Sequence, residues 1–121
     1  MLPMPASLPP HRLQIDLDRH DAAVVLRLAG ELDAATADGF EQFLTGVPEP
    51  FSLVVLDLHE LDFVDSMGLN ILFRAREWAT ARATVMRVVR APVHVQRLLA
   101  LAALDGSLGP FYPDASAALR A

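Results

Sequence analysis

A continuous run of aliphatic residues, Leu-Val-Val-Leu at 53–56, limits the possible folds of this chain more than any other feature. A half-buried strand alternates apolar and polar residues, whereas an unbroken aliphatic run is typical of a strand covered on both faces. Residues 66 to about 81 follow with apolar side chains at the three- to four-residue spacing of a helix. We therefore expect a layered α/β domain with residues 53–56 at the centre of its sheet.

The residues before this run predict a hairpin and a first helix. The stretches 13–18 and 23–29 favour strands, and the charged residues between them are typical of a turn. The segment 30–33 is expected to end the second strand, and its Asp33 is expected to cap a helix over residues 34–44. Together these elements place an antiparallel pair at the start of the chain.

The C-terminal half continues the alternation, after a loop predicted at 59–65. A β-branched stretch at 84–89 predicts a strand, and Pro92 suits the first turn of a third helix that Gly106 ends. A short edge segment at 111–112 and a final helix capped by an aspartate, Asp114, complete the chain. The third helix is expected to turn four side chains inward: Val95, Leu98, Leu99 and Ala102. The expected fold is a mixed β-sheet of four to five strands packed with three to four helices.

The length of 121 residues and the hydrophobic fraction of 53% fit one domain, which we place at 12–121. Residues 1–11 are expected to be a flexible tail, because the first ten of them include four prolines. They lack both the basic start of a secretory signal and the length of a membrane span. We therefore expect a cytoplasmic protein that does not insert into a membrane.

Charge and residue usage exclude several classes of function. The formal net charge is −5 and basic residues form no run, which argues against binding of nucleic acid or anionic lipid. All ten basic residues are arginines, and the lack of lysine excludes Schiff-base enzymes and P-loop nucleotide enzymes. The lack of cysteine excludes disulfides, thiolate catalysis and cysteine-ligated zinc. We expect neither an enzyme nor a cofactor.

The motif Asp-Ser-Met-Gly at 65–68 carries the most information about function. It places a serine at the start of a helix, directly after an acidic loop and a buried strand. Gly68 adds no side-chain bulk, which is expected to let another protein approach the Ser66 hydroxyl closely. The motif alone is equally consistent with Asp65 or Ser66 acting only as a helix cap.

Three blocks of sequence together resemble the STAS family of anti-sigma factor antagonists. The family signature, Asp-Ser-(Ser/Thr/Ala)-Gly-Leu between a buried strand and a helix, is similar to residues 65–69. Gly-Glu-Leu-Asp at 30–33 is similar to the opening of the family's first helix, and residues 91–105 resemble its last long helix. The blocks occur in the expected order, so the resemblance implies a single STAS-type domain.

The resemblance also implies a protein that binds an anti-sigma factor and thereby releases a sigma factor. In the family, the serine after the aspartate accepts phosphate from a serine kinase that is also the anti-sigma factor. Ser66 inherits that role, so its phosphorylation would block docking, and a serine phosphatase is implied as a further partner. Met67 departs from the small residue usual in its place. The expected partner-binding residues are Asp33, Thr36, Asp65, Ser66, Met67, Gly68, Asn70 and Phe73.

Phe73 and Asn70 are included because the helical wheel sends them away from the apolar side. Phe73 is interpreted either as a partner anchor or as a residue that packs at the margin of the core. Asn70 and Arg74 are expected to be exposed and to form a polar rim.

Two catalytic or signalling alternatives are weaker. A receiver domain would place an aspartate such as Asp57 at the end of a buried strand, but it also requires a lysine. A serine hydrolase would use Ser66 as nucleophile and His59 or His94 as base, but Val64 stands where the nucleophile elbow needs glycine.

Two further alternatives concern metals and scaffolds. A metal site would use scattered aspartates as ligands, but no histidine lies at the spacing of metal ligands. Aspartates in such positions usually cap helices or stabilise turns. The candidates would be Asp33, Asp62 and Asp65. Within the same fold, STAS domains also serve as scaffold subunits of lipid-transport or stress-signalling complexes without a phosphoswitch. The identity of the bound partner distinguishes this role from sigma-factor control.

Overall fold

The computed structural model describes residues 12–102 and 105–121, so the tail predicted at 1–11 lies outside the described residues. The described strands are β1 (Leu13–His20), β2 (Ala23–Leu32), β3 (Leu53–Val64), β4 (Val85–Val89) and β5 (Phe111–Tyr112). The described helices are α1 (Ala37–Thr45), α2 (Ser66–Ala81), α3 (Val93–Leu101), α4 (Asp105–Leu108) and α5 (Ala115–Arg120).

The five strands form one mixed sheet in the order β1-β2-β3-β4-β5. β1 is antiparallel to β2, as the predicted hairpin requires, and the other neighbouring strands are parallel. The α/β fold class with a mixed sheet is therefore confirmed. The described helices number five, against three to four expected, because the short helix α4 is separate from α3. The final helix α5, capped by Asp114, was predicted.

The central run at 53–56 is buried on both faces of the sheet, as predicted. Val54 and Leu56 belong to the larger core cluster, which includes buried side chains of α1, α2 and α3. Val55 points to the opposite face and packs in a smaller cluster with Ala118 of α5. The aliphatic run thus reflects a sheet with helices on both sides.

Strand β3 is longer than the sequence predicts. Residues 59–65 were expected to form a loop, but β3 continues to Val64 alongside the end of β2, where Leu61 pairs with Gly30 and Val64 with Leu32. Two shifts of register interrupt the pairing of β2 with β3. The prediction was wrong because irregular pairing lets polar residues continue the strand while Leu61 and Val64 stay buried.

The expected end of β2 at 30–33 was also wrong, since β2 continues through Leu32. Gly30 provides the irregularity: its φ is +105°, and a Cβ there would lie 2.2 Å from the carbonyl oxygen of Arg12. The first helix begins at Ala37 instead of residue 34, and residues 34–36 form a turn. Only glycine accommodates this backbone and the close neighbouring strand.

Helix α3 ends earlier than predicted. It stops at Leu101 with Ala102 as its C-cap, and Gly106 lies inside the separate helix α4. Val95 and Leu99 are fully buried, as expected, whereas Leu98 is 36% exposed and Ala102 is exposed. The buried face of α3 is therefore narrower than the apolar content of its sequence suggests.

Candidate functional site at the start of α2

Ser66 is the first residue of α2, and its side chain is exposed. The preceding Asp65 has an extended backbone and is the N-cap; its Oδ1 accepts a hydrogen bond of 2.9 Å from the N–H of Gly68. The helix start predicted from the sequence is therefore confirmed to the residue. Capping by Asp65 leaves the Ser66 hydroxyl available at the positive end of a 16-residue helix.

The second carboxylate oxygen of Asp65 ties the helix start to the turn between β2 and α1. Asp65 Oδ2 accepts a 3.2 Å hydrogen bond from the N–H of Ala34. The N–H of Asp65 also donates to the carbonyl oxygen of Leu32 at 3.3 Å. Residues 31 positions apart in the sequence are thus held side by side around Ser66.

Asp33 lies under this turn and is only 6% exposed. Its Oδ1 accepts hydrogen bonds from the N–H groups of Ala35 and Thr36, at 3.0 and 3.1 Å. Its Oδ2 accepts one from the guanidinium of Arg12 at 3.1 Å. The prediction that Asp33 caps the first helix is therefore wrong, because it caps the turn at 34–36 and Thr36 is the N-cap of α1. Its low exposure leaves little of the side chain for a partner to contact.

Thr36 has a related structural role. Its hydroxyl accepts a hydrogen bond from the N–H of Asp33 and donates one to the carbonyl oxygen of Glu31, both at 2.9 Å. It is the N-cap of α1 by position but makes no side-chain capping bond. The exposed part of the turn is formed by Ala34 and Ala35.

Gly68 is buried, so its missing side chain has a role within the fold, and the expectation that it also lets a partner approach Ser66 stays a prediction. A Cβ at this position would lie 2.0 Å from the carbonyl oxygen of Leu32 and 2.6 Å from Cγ2 of Val64. The glycine allows α2 to approach the ends of β2 and β3. This contact fixes where the first turn of α2, and with it Ser66, stands relative to the sheet.

The outer side of α2 carries the other predicted residues. Ser66, Asn70 and Phe73 are spaced i, i+4 and i+7, so they lie along one face, and all three are exposed. Phe73 is 38% exposed and Met67 48%. The predicted exposure of Asn70 and Phe73 is confirmed.

Two features of this surface were missed by the sequence analysis. Phe63 is 47% exposed near the end of β3, in the segment predicted to be a loop. Arg74 is exposed as expected, but it also forms a 2.7 Å ion pair with Glu41 of α1. No sequence signal marks Phe63, because residues 61–64 are buried, exposed, exposed and buried in turn and do not alternate.

The geometry gives no support to the catalytic alternatives. Within residues 12–102 and 105–121, no group of three or more potential ligands could hold a metal ion. The ring Nε2 of His94 is hydrogen-bonded to the carbonyl oxygen of Asp62, not to Ser66. Asp57 lies inside β3, where its Oδ1 accepts a hydrogen bond of 3.0 Å from the N–H of His59. Asp57 is therefore a strand residue satisfied by local backbone.

Comparison with known proteins shows the family of the chain. The family model described as "STAS domain" matches residues 14–118. The chain belongs to the STAS domain family. No helix of this STAS domain is long and apolar enough to cross a membrane, within the part of the chain that the structure describes.

Several relatives of this STAS domain are named as anti-sigma factor antagonists. It is 28% identical over 115 residues to the anti-sigma-F factor antagonist RsfA of Mycobacterium tuberculosis, covering 90% of this chain and 87% of that one. It is 32% identical over 96 residues to the anti-sigma F factor antagonist of Paenibacillus polymyxa, covering 76% and 80% of the two chains.

The fold matches solved structures across nearly its whole length. An anti-sigma factor antagonist from Mycobacterium paratuberculosis superposes with a TM-score of 0.80 at 30% identity, covering 95% of this chain and 97% of the other. A sulfate transporter family protein from Wolinella succinogenes superposes with a TM-score of 0.73 at 17% identity, covering 82% and 83%. The second likeness shows a shared fold alone.

Proposed function

We propose that this STAS domain is an anti-sigma factor antagonist: it binds an anti-sigma factor and so frees a sigma factor. The observation that carries the proposal is the exposed Ser66 at the capped start of α2, in a chain whose relatives are named for this role. Binding is proposed to occur in the cytoplasm, where sigma factors meet RNA polymerase. The function is protein association and not catalysis.

We further propose that phosphorylation of Ser66 switches this binding off. Phosphate adds about 1.5 to 2 negative charges to a surface that must meet another protein. The free N–H groups and dipole of a helix N-terminus tolerate an anion well, so the fold should survive the modification. The anti-sigma factor is the proposed serine kinase, and a serine phosphatase is the proposed enzyme that restores binding.

The proposed contact surface consists of exposed residues around Ser66. Met67, Asn70 and Phe73 on α2 supply apolar and polar contacts, and the Ala34–Ala35 edge of the turn adjoins them through Asp65. Asp33, Thr36 and Gly68 support this surface from below, as their hydrogen bonds and burial indicate. The proposal therefore separates residues that touch the partner from residues that hold the surface in shape.

A displacement assay tests the proposed function. A purified complex of anti-sigma factor and sigma factor is mixed with the STAS domain, and free sigma factor is measured by size-exclusion chromatography. We expect the wild type and Ser66→Ala to release sigma factor and Ser66→Asp to release little. If an excess of wild-type protein leaves the complex intact, the chain is not the antagonist of that anti-sigma factor and the scaffold alternative becomes the better interpretation.

A further inference from the structure

Helix α3 exposes large apolar side chains in one line. Val93 is 68% exposed and Leu101 is 83% exposed, the two highest values for large hydrophobic residues within the described part of the chain. Arg97 lies between them at a spacing of four residues in each direction, so the three residues share one face. The opposite side of the helix is anchored in the core by Val95 and Leu99. This face, Val93, Arg97 and Leu101, is called the α3 stripe below.

The charge around the α3 stripe is unusual for this protein. Eight of the ten arginines use their side chains in a hydrogen bond or ion pair within the chain. Arg90 and Arg97 form none with the described residues, and both are exposed. Helix α3 contains no acidic residue. Helix α3 therefore carries the positive charge of Arg97 and no negative charge, beside exposed apolar side chains, in a chain of net charge −5.

The start of α3 is hydrogen-bonded to the strand that leads into α2. The ring of His94, beside Val93, is hydrogen-bonded to the carbonyl oxygen of Asp62, three residues before the Asp65 cap. From Val93 to Leu101 the stripe extends about 12 Å along the helix axis, at a rise of about 1.5 Å per residue. We infer from this link that one bound protein contacts both the start of α2 and the stripe.

We propose that the α3 stripe is a docking surface for an acidic segment of the anti-sigma factor that carries apolar side chains. This inference rests on the proposed function and adds a second contact beyond the Ser66 surface. Carboxylates of the partner would pair with Arg97, and its apolar side chains would cover Val93 and Leu101. Exposed apolar residues grouped with unpaired charge mark interaction surfaces, and complementary charge guides the approach of the partner.

Charge reversal at Arg97 tests the proposal with the purified anti-sigma factor as titrant. Arg97→Glu should weaken binding by about tenfold or more, because it puts like charges face to face. The affinity of the wild type should fall as salt is raised, and Arg97→Glu should lose most of that dependence. Leu101→Ala should weaken binding without changing the salt dependence. Titration calorimetry at two salt concentrations measures all three effects.

The matched control is Arg120→Glu on α5, which packs against the opposite face of the sheet. It makes the same change of charge, so its affinity should stay within about twofold of the wild type, as expected for a site outside the interface. Thermal melting should show all variants folded, since Arg97 and Leu101 are exposed.

Three results would overturn the inference. If Arg97→Glu and Leu101→Ala bind like the wild type while Ser66→Asp does not, the proposed function stands and the α3 stripe is not part of the interface. If the wild type self-associates in sedimentation experiments, and Arg97→Glu abolishes only that self-association, the occupant is a second copy of this chain. If the wild type does not bind the anti-sigma factor at all, the proposed function is wrong, and the inference that rests on it is wrong with it.

Discussion

Asp65 is held inside the fold by backbone N–H groups from two elements, whereas the side chain of its neighbour Ser66 is exposed. The two residues therefore have different functions in the same motif. Asp65 fixes the position of the helix start against the β2–α1 turn. Ser66 presents an exposed hydroxyl, which takes no part in those bonds.

Replacing Asp65 with asparagine tests its bridging role. One carboxylate oxygen becomes an NH₂ group that cannot accept a hydrogen bond, so either Gly68 or Ala34 loses its acceptor. We expect the free energy of unfolding to fall by about 1 to 2 kcal/mol. Urea denaturation measures it, and Asp62→Asn, an exposed position, is the control that should change stability by less than about 0.5 kcal/mol. Equal effects at both positions would contradict the bridging role.

Phe73 tests the extent of the contact surface on α2. Its side chain is 38% exposed, so Phe73→Ala should lower affinity for the anti-sigma factor more than it lowers stability. An aromatic anchor commonly contributes more than about 2 kcal/mol of binding. Titration against the partner and thermal melting separate the two quantities. A collapsed melting temperature with unchanged affinity would assign Phe73 to the margin of the core.

At the residue scale, sequence analysis identified the cap and the exposed face but not the bridge. An aspartate before a helical pattern predicts a cap from local preference alone. The hydrogen bond from Ala34 to Asp65 depends on how a turn 31 residues earlier is placed, which no local pattern contains. The reason that position 68 needs a glycine was missed for the same cause. The atom that a Cβ at this position would meet is the carbonyl oxygen of Leu32, which is distant in the sequence.

At the scale of elements, the close approach of α2 to the ends of β2 and β3 positions the site. Substitutions of two glycines, Gly68 and Gly39, allow a matched test of this close approach. Gly68→Ala would put a Cβ 2.0 Å from a backbone oxygen, whereas Gly39 of α1 has no atom within 4 Å of such a Cβ. We expect Gly68→Ala to lower stability by about 1 to 3 kcal/mol, as for overpacking of a core.

The control, Gly39→Ala, should raise stability by up to about 1 kcal/mol, because Gly39 is an exposed residue in the first turn of α1 and alanine has the higher helix propensity. Chemical denaturation of the two variants gives the comparison. If both variants gained a similar amount of stability, the start of α2 would have to lie farther from β2 than it does in the structure.

The centres of the elements were predictable from the sequence, and their ends were less so. The run at 53–56 and the period of α2 are local signals strong enough to locate both elements. The extension of β3 to Val64 depends on pairing with β2, and polar residues at 59, 60 and 62 conceal it. The early end of α3 is likewise not marked by any glycine or proline at residues 102–103.

At the scale of the molecule, the mixed sheet separates the functional edge from the rest of the domain. Helices α1, α2 and α3 pack on one face and α5 on the other. The start of α2, the β2–α1 turn and the start of α3 are linked to one another through Asp65 and through the His94–Asp62 bond. Under the proposed switch, a change of charge at Ser66 would act on this assembled surface and would not need a change of fold.

The central claim is that phosphate on Ser66 blocks partner binding and leaves the domain folded. The most direct measurement compares the affinity of the unphosphorylated and the Ser66-phosphorylated protein for the anti-sigma factor by titration calorimetry, with phosphopeptide mapping to establish the modified residue. We expect affinity to fall by about tenfold or more, and the melting temperature to change by less than about 3 °C. Equal affinities for the two forms, or phosphate found mainly on another serine, would contradict the account.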